Sequence, residues 1–189
     1  GIEKNTKIQR YLKDLVKNHI HVDAASGGMV APFIQPDLAW DFRVKRVVSI
    51  STSGHKYGLV YPGLGWVVWR STADLPESLV FKVSYLGGEM PTFALNFSRP
   101  GAQVLLQYYM FLRLGFEGYC RVQQASHDVA KYLSGEIAKM DDFTLWNDGS
   151  DIPVFAWMLK DKPNRKWSLY DLQDRLRMKG WLVPAYPMP

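Results

Sequence analysis

Short apolar runs separated by glycine-rich turns dominate the first third of the chain. Apolar residues recur at helical spacing over residues 3–17, which predicts an amphipathic helix. A short run over 20–24 predicts a strand that opens into a Ser-Gly-Gly turn, and a second strand is predicted over 47–53. The run over 66–70 predicts a third strand, buried on both faces. Helix, strand and glycine-rich turn in succession indicate an α/β fold.

The middle of the chain passes from extended segments to helices. A strand is predicted over 80–86, with a Gly-Gly hairpin tip at 87–88 that would allow the hairpin to move. A further extended segment is predicted over 93–100. Apolar residues at helical spacing then predict one helix from residue 101 and a second over 117–140.

The last part of the chain predicts a second, smaller α/β unit. The polar and turn-prone segment 141–151 indicates a domain boundary. A strand is predicted over 152–160, and a helix is predicted to begin after Ser168, because Asp171 follows at the spacing of a capping box. A final strand is predicted over 181–184.

Composition and charge narrow the range of functions. The chain has 189 residues, of which 47% are apolar, so it can bury a substantial core. Its net charge of +5 comes from scattered Lys and Arg residues, a distribution that argues against nucleic-acid binding. No run reaches the roughly 18 apolar residues that span a membrane. The lone Cys120 argues against a disulfide framework or a cysteine-based metal site and fits the cytoplasm. We therefore expect a cytoplasmic protein with no metal.

The chemistry of the chain is expected to centre on Lys56, which follows the second predicted strand. Asp23 lies at the end of the first predicted strand, and small residues surround both positions. A lysine and a carboxylate at adjacent strand ends suit pyridoxal phosphate, because the amine forms a Schiff base and the carboxylate keeps the ring nitrogen protonated. The amine would need partial desolvation or a neighbouring cation such as His55. A solvated surface lysine and aspartate remain the alternative at this stage.

Four short sequence motifs indicate the protein family more specifically than the positions of Asp23 and Lys56 do. They are HVDAASGG at 21–28, STSGHKYG at 51–58, LGG at 86–88 and NFSRP at 96–100. Together they resemble the glutamate decarboxylases, the bacterial and plant branch of the group II decarboxylases that depend on pyridoxal 5′-phosphate. The loop 59–65 resembles the plant, fungal and lactic-acid-bacterial members more than the enterobacterial ones. The resemblance covers nearly the whole chain and implies a homo-oligomeric enzyme.

This resemblance assigns roles to individual residues. It implies that Lys56 carries the cofactor, that Asp23 pairs with the ring nitrogen, and that Ala25 touches one face of the ring. Ser53 and His55 match the positions that hold the phosphate, for which a hydroxyl and an imidazole are suitable donors.

Two further residues match family positions outside these turns. Ser98 matches a serine that reaches the phosphate in the neighbouring subunit of the family dimer. Tyr85 matches a tyrosine on a mobile hairpin that closes over the site and protonates the intermediate after carbon dioxide leaves.

The resemblance also implies the fold, the domains and the reaction. It implies the large cofactor domain of fold type I pyridoxal-phosphate enzymes, whose second part would be residues 1–115. A connecting helix would follow at 116–140, and 141–189 would begin the small C-terminal domain. The implied reaction converts L-glutamate to 4-aminobutanoate and carbon dioxide and consumes a proton, which in bacteria would resist acid.

Residues that would define the substrate fall outside the sequence. In the family, those that hold the two carboxylates of glutamate lie before Gly1 or after Pro189, so we expect the 189-residue chain alone to be inactive. Two alternatives stay open. One is another pyridoxal-phosphate decarboxylase or lyase, acting on an aromatic amino acid or a phosphorylated long-chain base. The other is a noncatalytic module that binds an anionic partner.

Overall fold

The structure, a computed structural model, describes residues 19–85, 87–92 and 99–187. The helix predicted over 3–17 and most of the extended segment predicted over 93–100 lie outside these residues. The chain divides into two compact units, Gly1–Arg121 and Val122–Pro189. The assignment of 1–115, 116–140 and 141–189 to the parts of a larger enzyme stays a prediction.

A three-stranded sheet forms the centre of the first unit. Its strands are β1 (Ile20–Asp23), β2 (Val47–Ser53) and β3 (Gly65–Trp69), in the order β1-β2-β3. β1 runs parallel to β2, whereas β3 runs antiparallel to it. These strands confirm the predictions over 20–24, 47–53 and 66–70 to within one residue at each end.

The prediction that the third strand is buried on both faces is wrong for this chain. Trp66 and Val67 in β3 are each 37% exposed, and Val68 is 48% exposed. β3 is an edge strand of the described sheet, and in the described part of the chain its side chains are not fully covered on either face. An apolar sequence indicates that a strand prefers burial, but it does not say which segment provides the cover.

The core of this unit lies against β1 and β2. Ala24, Val47 and Ile50 are buried together. Half-buried hydrophobic residues from β1 and from the loop before β2 pack around them, namely Ile20, Val22, Trp40, Phe42 and Val44. This packing fixes the relative position of the two parallel strands and of the turns at their carboxyl ends.

The predicted hairpin is confirmed. β4 (Phe81–Tyr85) and β5 (Gly88–Thr92) form a separate two-stranded antiparallel sheet in which Tyr85 pairs with Gly88. Gly87 in the connection has a φ of 85°, a left-handed conformation that glycine adopts without steric cost.

One short helix lies between β1 and β2 in the chain, and a long helical segment follows β5. A short helix α1 (Ala31–Ile34) lies in the loop after β1. The long helical segment α2 (Ala102–Ala138) is interrupted at Gly115, whose φ of 58° and ψ of −173° are not helical. The two predicted helices, one from residue 101 and one over 117–140, are therefore confirmed, with the glycine separating them.

The second unit contains a two-stranded antiparallel sheet, and two strand predictions need correction there. β6 (Phe143–Asn147) lies within the segment 141–151, which was predicted to be a polar domain boundary. The prediction missed this strand because Asp and Gly residues flank its short alternation of apolar residues. β7 (Ala156–Leu159) begins four residues later than the predicted strand over 152–160.

Helix α3 (Leu169–Arg177) follows, and its start agrees with the prediction. The Ser168 hydroxyl accepts a hydrogen bond from the Asp171 N–H, and the Asp171 carboxylate accepts one from the Ser168 N–H, which completes a capping box. The strand predicted over 181–184 is wrong, since these residues are irregular, with Trp181 and Leu182 66% and 80% exposed. A strand needs a neighbouring strand for its backbone hydrogen bonds, and the described residues supply none here.

Candidate active site

The carboxyl ends of the two parallel strands bring two turns together. Asp23 at the end of β1 lies beside Ser51 of β2. Beyond this pair the Ala24 N–H donates to the Ser51 carbonyl at 2.9 Å, and the Ser53 N–H donates to the Ala25 carbonyl at 3.1 Å. The backbone ladder therefore continues into both turns, which are held side by side where open α/β sheets bind ligands.

The Asp23 carboxylate is exposed at this edge of the sheet. Its Oδ1 accepts a hydrogen bond from the Ala25 N–H at 3.0 Å. This local bond orients the carboxylate across the turn, as aspartate commonly does at the end of a strand. Because Oδ1 accepts the hydrogen bond from the backbone N–H, Oδ2 can accept one from an N–H of a ligand.

Lys56 lies in a tight turn that begins at the end of β2. Its N–H donates to the Ser53 carbonyl, and its own carbonyl accepts from the Leu59 N–H, each at 3.3 Å. The Lys56 side chain is exposed, and its Nζ donates to the Ser26 hydroxyl at 3.4 Å. The structure thus brings the lysine amine to the turn that begins at Asp23. The described residues do not bury the Lys56 amine, so they do not provide the partial desolvation that a reactive lysine would need.

His55 is fixed by the segment that leads into β3. Its Nδ1 lies 2.8 Å from the Leu64 carbonyl oxygen, and a carbonyl only accepts, so Nδ1 carries the proton. This bond leaves Nε2 for other partners. Ser53, two residues earlier, is half-buried at the end of β2.

Six of the seven predicted site residues lie among the described residues, in two separate places. Five of them lie in the two adjoining turns, namely Asp23, Ala25, Ser53, His55 and Lys56. Tyr85 lies at the end of β4, in the separate hairpin. Ser98 lies outside the described residues. The structure brings the five together, while the functional roles of all seven stay predictions.

Sequence reasoning missed two buried polar residues beneath the lysine turn. Gln107 and Tyr119, both on α2, are 0% and 1% exposed, and both hydrogen-bond to the Gly58 carbonyl at 2.9 Å. Burial raises the pKa of the Tyr119 hydroxyl, while its hydrogen bond with Gln107 acts in the opposite direction. The only signal in the sequence is a glutamine within the apolar stripe of a predicted helix.

The described residues contain neither a metal-ligand cluster nor a membrane-spanning helix. No group of three or more His, Cys, Asp or Glu side chains there could hold a metal ion. No helix of the described part is long and apolar enough to cross a membrane.

Comparison with solved structures defines the class of protein. The chain matches the glutamate decarboxylase of Lactobacillus brevis with a TM-score of 0.85 and 58% identity, over 90% of this chain and 39% of that chain. It matches the sphingosine-1-phosphate lyase of Burkholderia pseudomallei with a TM-score of 0.72 and 25% identity, over 90% and 38% of the two chains. The fold is that of the fold type I pyridoxal-phosphate enzymes, in part, as the family resemblance implied.

Sequence comparison identifies the family. Residues 4–160 match the pyridoxal-dependent decarboxylase conserved domain. The chain therefore belongs to the pyridoxal-dependent decarboxylase family. It is 58% identical to glutamate decarboxylase beta of Listeria innocua, over 98% of this chain and 40% of that protein. It is also 58% identical to glutamate decarboxylase of Lactococcus lactis subsp. cremoris, over 96% and 39%. The chain thus spans about 40% of the length of these relatives.

Proposed function

We propose that this chain is part of a glutamate decarboxylase that converts L-glutamate to 4-aminobutanoate and carbon dioxide. The observation that carries the proposal is its 58% identity, over nearly its whole length, to proteins named glutamate decarboxylase. Identity to the structure named as a sphingosine-1-phosphate lyase is only 25%. The reaction consumes a proton, so in a bacterial cytoplasm it would counter acidification. The single free Cys120 is consistent with that compartment.

The described residues fit pyridoxal 5′-phosphate. An amine, a carboxylate, a hydroxyl and an imidazole lie on two turns that the backbone ladder holds side by side, at Lys56, Asp23, Ser53 and His55. The hydrogen bond from Lys56 Nζ to Ser26 supports the fit, because the amine reaches the turn after Asp23. The amine suits the aldehyde of the cofactor, the carboxylate suits the ring nitrogen, and the hydroxyl and imidazole suit the phosphate.

Each residue of the two turns takes one task in this proposal. Lys56 holds the cofactor covalently through Nζ, and the Asp23 carboxylate accepts a hydrogen bond from the ring N–H and so keeps that nitrogen protonated. Ala25 lies against one face of the ring, where a small side chain avoids a clash. When bound, the cofactor supplies an electron sink for the bond between the α-carbon and the α-carboxylate.

Ser53 and His55 bind the phosphate in this proposal. The Ser53 hydroxyl can donate to a phosphate oxygen, and His55 Nε2 can do so when it is protonated, because its Nδ1 is already bonded to the Leu64 carbonyl. The fixed ring then orients the phosphate against the end of β2.

Tyr85 and Ser98 extend the proposal beyond the two turns. Tyr85 would donate a proton to the α-carbon of the substrate and exclude water, and its location at a Gly-Gly hairpin connection suits such a movement. Ser98 would bind the phosphate held by a neighbouring subunit of a homodimer or larger oligomer. Exposed large hydrophobic residues on β3 support additional packing partners for this unit.

A substrate panel tests the proposed reaction in a full-length protein that contains this sequence. With pyridoxal phosphate present, L-glutamate should yield 4-aminobutanoate, and aromatic amino acids and a phosphorylated long-chain base should remain unchanged. Turnover of either of these instead of glutamate would contradict the proposal and favour the alternative decarboxylase or lyase.

Two variants and a control test the assigned roles. Lys56→Ala should abolish product formation. Asp23→Asn keeps the shape of the side chain but removes its charge, and should lower kcat by about a hundredfold. Asp37→Asn, an exposed aspartate in the loop before β2, is the matched control and should behave like the unmodified protein. Equal kcat values for the two aspartate variants would contradict the role of Asp23.

A further inference from the structure

The turn that carries Lys56 rests on a buried ring of hydrogen bonds from α2. Gln107 Nε2 donates to the Gly58 carbonyl at 2.9 Å and to the Tyr119 hydroxyl at 3.1 Å. The Tyr119 hydroxyl donates to the same Gly58 carbonyl at 2.9 Å. The Gln107 amide N–H, the Tyr119 hydroxyl and the Gly58 carbonyl therefore form a closed triangle of hydrogen bonds out of contact with solvent, whereas Gln107 Oε1 has no hydrogen-bond partner among the described residues. Gly58 follows Lys56 by only two residues.

The turn approaches Gln107 so closely that only glycine fits between them. A Cβ on Gly54 would lie 2.4 Å from Gln107 Oε1, and a Cβ on Gly58 would lie 2.7 Å from the same atom. The backbone on both sides of Lys56 is thus in direct contact with the glutamine side chain. Any displacement of Gln107 is transmitted to the turn without an intervening side chain.

Tyr119 is itself held rigidly. Its ring stacks on Phe33 with centroids 4.9 Å apart, and Phe111 packs against it at 5.7 Å. These aromatic contacts fix the direction of the hydroxyl, so the hydrogen bond to Gly58 has a fixed donor. The apolar surroundings also strengthen the bond and make its loss costly.

A second glutamine on the same helix provides an internal comparison. Gln103, one turn before Gln107, donates to the Pro62 carbonyl at 3.2 Å and lies beside Gly63. It secures the far end of the loop, six residues after the lysine, and it is only half-buried. The two glutamines therefore make similar bonds at different distances from Lys56.

We propose that Gln107 and Tyr119 are positioning residues that hold the Lys56 turn in the geometry required for attachment of the cofactor. The inference rests on the proposed function, since it gives these residues a task only if Lys56 binds pyridoxal phosphate. The exposed Lys56 side chain makes a long hydrogen bond to Ser26, so the position of its amine depends chiefly on the backbone that carries it. That backbone is fixed at Gly58 by Gln107 and Tyr119, neither of which needs to touch the ligand.

The experiment compares two variants with two controls in the full-length protein. Tyr119→Phe removes one hydroxyl and keeps the aromatic packing, and Gln107→Met removes the amide while roughly preserving volume. Gln103→Met is the matched glutamine control, and Tyr109→Phe removes the hydroxyl of a tyrosine on α2 that is 57% exposed. Each cofactor-free protein is titrated with pyridoxal phosphate, reduced with borohydride and mapped by peptide mass spectrometry.

Both test variants should weaken cofactor binding about tenfold, the effect of losing a buried hydrogen bond. Their label should also spread from Lys56 to other lysines, while the two controls should keep the affinity and labelling of the unmodified protein. If Tyr119→Phe and Gln107→Met match the controls, or only lower the unfolding midpoint, the positioning role is refuted.

Hydrogen exchange in the cofactor-free protein provides a second readout. The Val60 N–H donates to the Gly54 carbonyl across the turn, so exchange over 54–60 should accelerate in the two test variants and not in the controls. Unchanged exchange in Tyr119→Phe would overturn the inference. Absence of label on Lys56 in the unmodified protein would instead refute the proposed function, and the exchange comparison would still decide whether Gln107 and Tyr119 hold the turn.

Discussion

Replacement of Gly54 by alanine should push the lysine turn away from α2. The added Cβ would lie 2.4 Å from Gln107 Oε1 and 2.9 Å from Leu64 Cδ2. Ordinary van der Waals contact begins at 3.4 Å, so the glutamine would have to retreat by about 1 Å. Since Gln107 is buried and already bonded to Gly58 and Tyr119, this retreat would lengthen both of its hydrogen bonds.

The expected cost follows from these contacts. Overpacking of a buried position costs about 1–3 kcal/mol, and the weakened hydrogen bonds add to it. The φ of Gly54 lies outside the left-handed region, so alanine causes no backbone strain and gains about 0.4–1 kcal/mol through the unfolded state. We therefore expect Gly54→Ala to lower the free energy of unfolding by about 1–3 kcal/mol.

Gly65→Ala is the matched control for this change. Gly65 begins β3, and a Cβ there would meet its nearest neighbour, the Thr52 carbonyl oxygen, at 3.9 Å. The control should therefore be neutral or slightly stabilising. Both variants are measured by urea denaturation of the full-length protein at one protein concentration, followed by tryptophan fluorescence.

A double-mutant cycle assigns the cost to Gln107. In Gly54→Ala combined with Gln107→Ala, the clash with the glutamine is gone, so the two losses should fall short of additivity by about 1 kcal/mol. Equal stability of Gly54→Ala and Gly65→Ala, or strict additivity in the cycle, would refute the close contact between the turn and the helix.

Two predictions concern the second unit. The Lys131 ammonium, with the hydroxyl and N–H of Ser150, holds the pKa of Asp148 well below its ordinary value of 3.8. Because the folded-state pKa is the lower one, this stabilisation is present above pH 3.8 and is lost as pH falls towards the folded value. Asp148→Asn should therefore flatten the decline of the unfolding free energy below about pH 4, and equal slopes would contradict it. Ser168→Ala should remove one half of the capping box of α3 and cost about 1 kcal/mol, measured by hydrogen exchange at Leu172. Ser78→Ala, at an exposed serine, should leave that exchange unchanged, and equal rates in the two variants would refute the cap.

Local sequence patterns were sufficient to predict those elements whose structure depends on residues close by in the chain. β2 was predicted with its observed bounds because its apolar run passes through Ser-Thr-Ser and stops at Gly54. The start of α3 was predicted because Ser168 and Asp171 cap it directly. The turn chemistry also indicated Asp23 and Lys56, whose turns the parallel strands bring side by side, with Lys56 Nζ bonded to Ser26.

Features that depend on distant segments could not be predicted. In the ring of hydrogen bonds, Gln107 and Tyr119 lie 49 and 61 positions after Gly58 in the chain. No local sequence pattern can therefore predict this ring. The apolar segment 181–184 suits a strand, but strand formation requires a partner that the described residues do not offer. The exposed face of β3 has the same explanation, because hydrophobicity predicts burial without identifying what provides the cover.

The most direct test of the account is the location of the cofactor's covalent link. The full-length protein is incubated with pyridoxal phosphate, its absorbance spectrum is recorded before and after borohydride reduction, and the modified peptide is identified. The account predicts a long-wavelength band that disappears on reduction, with the label on Lys56. No band, or a label distributed over other lysines, would contradict the central role of Lys56.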